Sequence, residues 1–214
     1  MMQTTNSRPE TSAADKDRAA LRRSKIVDTA RRLFTENGFH ATGVAQIANE
    51  SGVAVGQIYR DFSSKEAIVA SIAKTDCTDF LCHDSLRRGI ESRDQDAVWT
   101  WLHEFMSHGD ADEGVLLTEI VAESTRNPTI AEIFTTTSGD MRRAMLAAIE
   151  VLAPGEALAQ RRAQLADLTF ALSLGLLQHR VLDLSGGNGD IVETAMRLIR
   201  TEIADMRKDV PVEA

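Results

Sequence analysis

The stretch from Thr42 to Phe62, TGVAQIANESGVAVGQIYRDF, leaves a chain few ways to fold. Val44, Ile47 and Ala48 place apolar groups at helical spacing, and Gly52 ends that helix with the left-handed backbone a tight turn needs. Val53 follows as the hinge residue, expected to be buried, and a second short helix runs through Val55, Gly56, Gln57, Ile58 and Tyr59. Two helices joined by a short glycine-containing turn form the helix-turn-helix pattern, whose second helix enters the DNA major groove. The same pattern also arises as plain packing in helical proteins, so the flanks carry weight. Ahead of it, Ile26, Ala30, Leu33 and Phe34 line one face of a helix that stops at Gly38. Behind it, Ser63-Ser64-Lys65-Glu66 reads as a capping box with Ser63 as the cap and Glu66 reaching back.

The rest of the 214 residues reads as helix too. Only 4 Pro and 13 Gly interrupt the chain, and they gather at a few boundaries. Residues 1–18 are polar and read as a disordered tail, with Arg18, Arg22, Arg23 and Lys25 placed where a basic arm would meet DNA. A long helix is expected from Ser63 to about Arg88, and another from Asp94 carries Val98, Trp101, Leu102, Phe105 and Met106 on one face. A third spans about Asp112 to Arg126, where Glu123 and Arg126 read as a surface ion pair. Asn127 and Pro128 cap and open the next, whose apolar phase from Ile130 to Leu152 carries it through Thr135–Gly139, with a bend expected near Gly139. The segment from Glu156 to Leu184 is apolar nearly all round, Ser185–Gly189 ends it, and a final amphipathic helix runs from Asp190 to Lys208.

Composition excludes several classes. No apolar run approaches the roughly 20 residues of a membrane span, and the N-terminal segment lacks the apolar core of a signal peptide, so no membrane partner and a cytoplasmic location are expected. Cys77 and Cys82 fall on different faces of the expected long helix, which disfavours a disulfide, and no CxxC or HxxxH spacing offers a metal site. The glycines at 186, 187 and 189 lack the GK[ST] of a phosphate loop, and no cofactor motif is present. The five histidines are scattered without nucleophile or carboxylate partners at informative spacing, so no catalytic residue is assigned. Net charge is −8, yet residues 15–65 hold nine Lys/Arg against six Asp/Glu. A basic head on an acidic body is the balance of a nucleic-acid binder.

Phe34, Gly38-Phe39, Thr42, Ile47-Ala48, Gly52-Val53, Tyr59, Phe62 and Lys65-Glu66 fall in the order and spacing of the tetracycline-repressor (TetR) family, which residues 24–70 therefore resemble. The remainder resembles it only in architecture. The resemblance implies an all-α protein: an N-terminal three-helix helix-turn-helix DNA-binding domain (19–70) and a C-terminal helical ligand-binding and dimerisation domain (71–208), followed by a short tail (209–214). It also implies a homodimeric, ligand-responsive repressor that leaves double-stranded operator DNA when a small-molecule effector binds. A helical interaction protein keeping the motif as packing, and a helical enzyme with a hidden site, are the competing classes.

Site residues follow from the same reading. Thr42, Tyr59 and Lys65 match the family's phosphate contacts, and Arg60 adds a cation beside them. Gln57 is expected to read adenine, with Ala54 and Val55 against thymine methyls, because Gly43, Ala45, Ala54 and Val55 stand where polar residues are frequent in the family. The dimer interface is expected on Leu165, Leu168, Leu172 and Leu176 together with Ile191, Ala195, Leu198 and Ile199. A largely apolar effector pocket is expected to draw its lining from Trp101, Phe105, Ile120, Phe134, Met141, Phe170 and His179, with Gln178, His179 or Glu119 orienting a neutral or cationic ligand.

Overall fold

The computed structural model describes residues 13–182 and 189–208, which form ten α-helices and one 3-10 turn with no strand among them. The order is α1 (Ala13–Asn37), α2 (Val44–Ser51), α3 (Val55–Asp61), α4 (Lys65–Leu81), α5 (Asp84–Glu91), α6 (Gln95–Ser107), α7 (Ala111–Ser124), α8 (Pro128–Leu152), the turn Glu156–Leu158, α9 (Ala159–Val181) and α10 (Gly189–Lys208). The expected loop Ser185–Gly189 falls largely outside the described residues, as do positions 1–12 and 209–214 of the expected tails.

Two apolar clusters organise these helices. The first packs Ile26, Leu33 and Phe34 of α1 against Ile47, Ile58, Ile68 and Ile72, and Leu116 and Ile130 from α7 and α8 complete it. The second gathers Trp101, Leu102, Met145, Ile149, Leu152, Met196 and Ile203 from α6, α8 and α10. Helix α4 runs from one to the other: Ile68, Val69 and Ile72 belong to the first, Cys77 to the second. For brevity, α1–α3 and the start of α4 are the head and the remainder is the body.

Local chemistry explains where the helices begin. Asp94, Asp110 and Asn127 each cap a helix by accepting backbone N–H bonds, and Pro128 opens α8. Helix α8 runs unbroken through Gly139 to Leu152, because its phase of buried residues outweighs the poor propensity of Thr135–Gly139.

Other expectations need correction. The helix from Ser63 does not reach Arg88. It stops at Leu81, and the imidazole of His83 caps a new helix, α5, by accepting the Ser85 N–H. The break turns α5 back onto α6, burying Leu86 and bringing Gly89 so near Val98 that a Cβ there would meet Cγ2 at 2.5 Å. A straight helix would have carried that face into solvent. The cap of α4 is Ser64 rather than Ser63, and it accepts the Ala67 N–H; Glu66 does reach back to hydrogen-bond Ser64 and also accepts from the Asn127 amide. Helix α1 starts at Ala13, so part of the expected tail is helical. A 3-10 turn occupies Glu156–Leu158 before α9 begins. Glu123 does pair with Arg126, at 3.6 Å, but from a buried position rather than on the surface.

Candidate DNA-binding head and effector cavity

In the head, Gly52 takes φ +67° between α2 and α3, as the tight turn requires. Val53 is half-buried against the head core. Ile58 faces the core, while Ala54, Val55, Gly56, Tyr59 and Arg60 form an exposed face of α3. Arg60 has no hydrogen-bond or ion-pair partner among the described residues. Gln57 is half-buried, its amide nitrogen a long 3.5 Å from both Asp61 carboxylate oxygens, so it is barely held. A Cβ added at Gly43 or Gly56 would meet nothing within 4 Å, so intrachain packing does not explain either glycine.

Several polar groups behind this face are already occupied. Arg22 donates to both carboxylate oxygens of Asp61, at 2.6 and 3.0 Å, which holds that carboxyl below the usual carboxylate range. Arg23 lies 4.2 Å over the Phe62 ring and donates to the Asp61 carbonyl. These two arginines fasten α1 to the end of α3, a different task from the DNA arm expected of them. Thr42 departs from expectation more sharply. It is fully buried, and its hydroxyl hydrogen is directed at the carbonyls of Leu33 and Gly38, 3.0 and 2.9 Å away. Gly43, not Thr42, stands at the N-cap of α2. A hydroxyl so placed pins α1 to its loop and has no hydrogen to offer a phosphate. Lys65 donates to the carbonyls of Phe39 and Thr42 at 2.6 and 3.1 Å and sits 3.9 Å over the Phe39 ring. An ammonium has three donors, so one remains for an outside partner.

The loop between α1 and α2 is also gripped from the body. The Glu119 carboxylate accepts the Phe39 N–H at 3.1 Å, and Gly38, at φ +79°, leaves room for it: a Cβ there would lie 3.0 Å from Glu119 Oε2. One turn on, the buried carboxylate of Glu123 lies 2.6 Å from His40 Nε2. Glu119 therefore holds the head and does not orient a ligand. Gln178 is likewise engaged elsewhere, donating to the Thr118 hydroxyl.

A cavity of about 200 Å³ opens between α4, α6, α7, α8 and α9. Of the residues expected there, Phe105, Ile120, Phe134, Met141 and Phe170 line it. Trp101 does not: it is fully buried, stacks on Phe105 and donates its indole N–H to the Phe80 carbonyl, so it is core. His179 is also absent from the wall. The sequence reading missed Arg31, Asp76, Cys77, Phe80, His108 and Glu113. Arg31 and Asp76 carried no local signal, because only the packing of α1 on α4 brings them together. Burial pushes the Cys77 thiol up, which leaves it un-ionised and unreactive at neutral pH. No cluster of three metal-ligating side chains occurs among the described residues.

The outer face of α9 and α10 divides the expected dimer residues. Leu165, Leu176, Ala195 and Ile199 are buried in the chain's own core, because α10 packs on α9 and α6. Leu168 and Leu198 are 54% and 60% exposed; with the half-buried Leu172 they border a groove closed by the Arg161–Glu202 ion pair. Ile191 is half-buried against the body core.

Three tightly set helices with an exposed second motif helix define a helix-turn-helix head on an all-helical body. Residues 26–72 match the profile of the family described as bacterial regulatory proteins, tetR family. It is 31% identical over 109 residues to the HTH-type transcriptional regulator UidR of Escherichia coli K12, a match covering 51% of this chain and 55% of that protein. It is 35% identical over 74 residues to the HTH-type transcriptional repressor KstR2 of Rhodococcus jostii RHA1, covering 34% and 36%. The matched segment thus spans about half the length, or less, of these curated relatives. Among solved structures, Salmonella enterica GusR superposes with a TM-score of 0.65 at 24% identity over 88% of this chain and 96% of that one. A TetR transcription regulator from Haloarcula marismortui gives 0.66 at 16% over 87% and 98%. At these identities the superpositions establish the shared all-α fold.

Proposed function

We propose that this protein is a transcriptional regulator, a homodimeric repressor that binds a near-palindromic operator through α3 and is released when a small molecule fills the body cavity. The observation that carries the reading is the joining of the two sites: the cavity that would receive the effector has in its wall Arg31, a residue of the head's own α1. An effector there touches the DNA-binding unit without an intermediary. To shift the equilibrium it must bind the DNA-incompetent arrangement more tightly than the competent one.

The exposed set Val55, Gly56, Tyr59 and Arg60, with Gln57 at its edge, supports the DNA contacts. Tyr59, Arg60 and the remaining donor of Lys65 suit phosphates, and the open surface at Gly43 and Gly56 suits close approach of a sugar-phosphate backbone. Gln57 remains the side chain able to pair bidentately with adenine, and Ala54 and Val55 offer apolar contact to thymine methyls. Leu168, Leu172 and Leu198 support pairing of two copies through α9 and α10. Such an interface would bury on the order of 2,000 Å² and set two α3 helices about 34 Å apart, one DNA turn. No helix among the described residues is long and apolar enough to cross a membrane, which agrees with a regulator working in the cytoplasm.

The test is a mobility-shift assay on DNA flanking the protein's own gene, run on the wild type and on Leu168→Glu. The wild type should sediment as a dimer and retard the fragment; the variant should sediment as a folded monomer with operator affinity reduced about 100-fold or more. A wild type that is monomeric at micromolar concentration, or that ignores every promoter fragment near its gene, overturns the reading.

A further inference from the structure

The effector cavity has a chemical asymmetry beyond its apolar walls. Four phenyl rings, from Phe80, Phe105, Phe134 and Phe170, form its inner surface. Three full charges lie in the wall: Arg31, Asp76 and Glu113. Arg31 and Asp76 meet in a two-pronged pair and cancel. That leaves the Glu113 carboxylate, whose direct ion-pair contact is the half-exposed ring of His108 at 3.3 Å and which Arg31 and Arg180 feel only through space. The nearby guanidinium of Arg180 is turned to the carbonyls of Met106 and His108. Outside, a cleft of about 330 Å³ shares Arg31, Glu113 and Leu116 with the cavity and adds Asp28, Asp110 and Asp112. Its other guanidinium, Arg32, is bound by Glu36 and Glu50. An acidic vestibule therefore adjoins the aromatic chamber along Arg31, Glu113 and Leu116.

From this arrangement we infer that the effector is an amphipathic cation, an ammonium carried on an alkyl or aryl body. The inference rests on the cavity being the sensor and adds the charge of what it senses. The vestibule raises the local concentration of cations, and phenyl faces attract a cation that has lost part of its water. An ammonium at Glu113 completes a carboxylate pair; drawn further in, it competes with Arg31 for Asp76. An anion gains neither. It faces two carboxylates, and the one guanidinium within reach must first be taken from Asp76. Displacing Arg31 removes the ion pair between α1 and α4 and leaves only their apolar packing, so the cation that fits best is also the one that loosens the head.

The test uses the full chain and three ligands of matched body: octylammonium, octanol and octanoate, titrated by calorimetry near neutral pH. Octylammonium should bind about tenfold more tightly than octanol, with octanoate weakest. Glu113→Gln should lower octylammonium to the level of octanol and leave octanol unchanged, which also reports that the variant is folded. Asp76→Asn, by freeing Arg31, should raise octanoate above octylammonium. If octanol binds but charge makes no difference, or octanoate binds best to the wild type, the cation inference falls and the sensor cavity stands. If none of the three binds, the sensor reading falls and takes this inference with it.

Discussion

In the head, Thr42, Lys65, Arg22 and Arg23 direct their donors inward, and Phe34, Ile47 and Ile58 sit in a core closed to solvent. In the body, Phe80, Phe134 and Phe170 face a cavity of about 200 Å³ that no side chain fills. Packing density accounts for the contrast. Under the proposed function, a surface presenting α3 to DNA in one orientation gains from every internal pin, whereas a surface admitting a ligand gives up the contacts that would close it. The two regions should therefore answer mutation differently.

The largest difference is expected between two phenylalanines. Phe34→Ala removes a ring from the closed head core and should cost about 3–5 kcal/mol in urea denaturation, with operator binding lost. Phe134→Ala removes a ring already facing empty space and should cost less than about half as much. Equal losses would mean that the cavity is closed in solution. Next, Thr42→Val keeps the shape and deletes the buried hydroxyl, at a cost of roughly 1–2 kcal/mol. The salt dependence of DNA binding should not change. Lys65→Ala, by contrast, should lower that slope by about one. If Thr42→Val lowers the slope instead, Thr42 is a phosphate contact and its buried placement is wrong.

Gly56→Ala separates folding from function. Nothing crowds the new methyl group, and alanine suits a helix interior better, so the head should gain up to about 1 kcal/mol. Operator affinity should fall all the same if α3 meets DNA as proposed, because the methyl group lies on the exposed face of α3. The smallest effect concerns acid. The Arg22 hydrogen bonds hold Asp61 below its unfolded pKa, so the pair's contribution is whole above the ordinary carboxylate range and is lost as pH falls through the depressed value. Asp61→Asn should therefore be less stable than the wild type at neutral pH and converge with it in strong acid. A stability gap that persists unchanged to low pH would remove Asp61 from that role.

The head was legible in the sequence because its signals are local. Gly52, the apolar phase of α1 and the spacing of Phe39, Tyr59 and Lys65 lie within a few turns of one another, where backbone conformation and helix periodicity decide. The capped starts of α6 and α8 were legible for the same reason. What escaped depends on distant residues. The α4–α5 break comes from Leu86 and Gly89 seeking α6, and Arg31 reaches the cavity because α1 packs on α4. Helix α9 misled in the other direction: its apolar residues are enough for an interface, but Leu165 and Leu176 were needed by the chain itself. Periodicity shows that a face is apolar without saying which neighbour claims it.

Leu116 and Ile130 have a consequence for how the protein is made. Both complete the apolar cluster of the head, although they belong to α7 and α8. On the ribosome the head emerges first, yet its core stays open until residue 130 has left the exit tunnel. A nascent chain halted near residue 72 would carry the whole helix-turn-helix motif with one flank of its core bare. The head is thus finished only after part of the body has been synthesised, and a truncation that spares every residue of α1–α3 still yields an incompletely folded head.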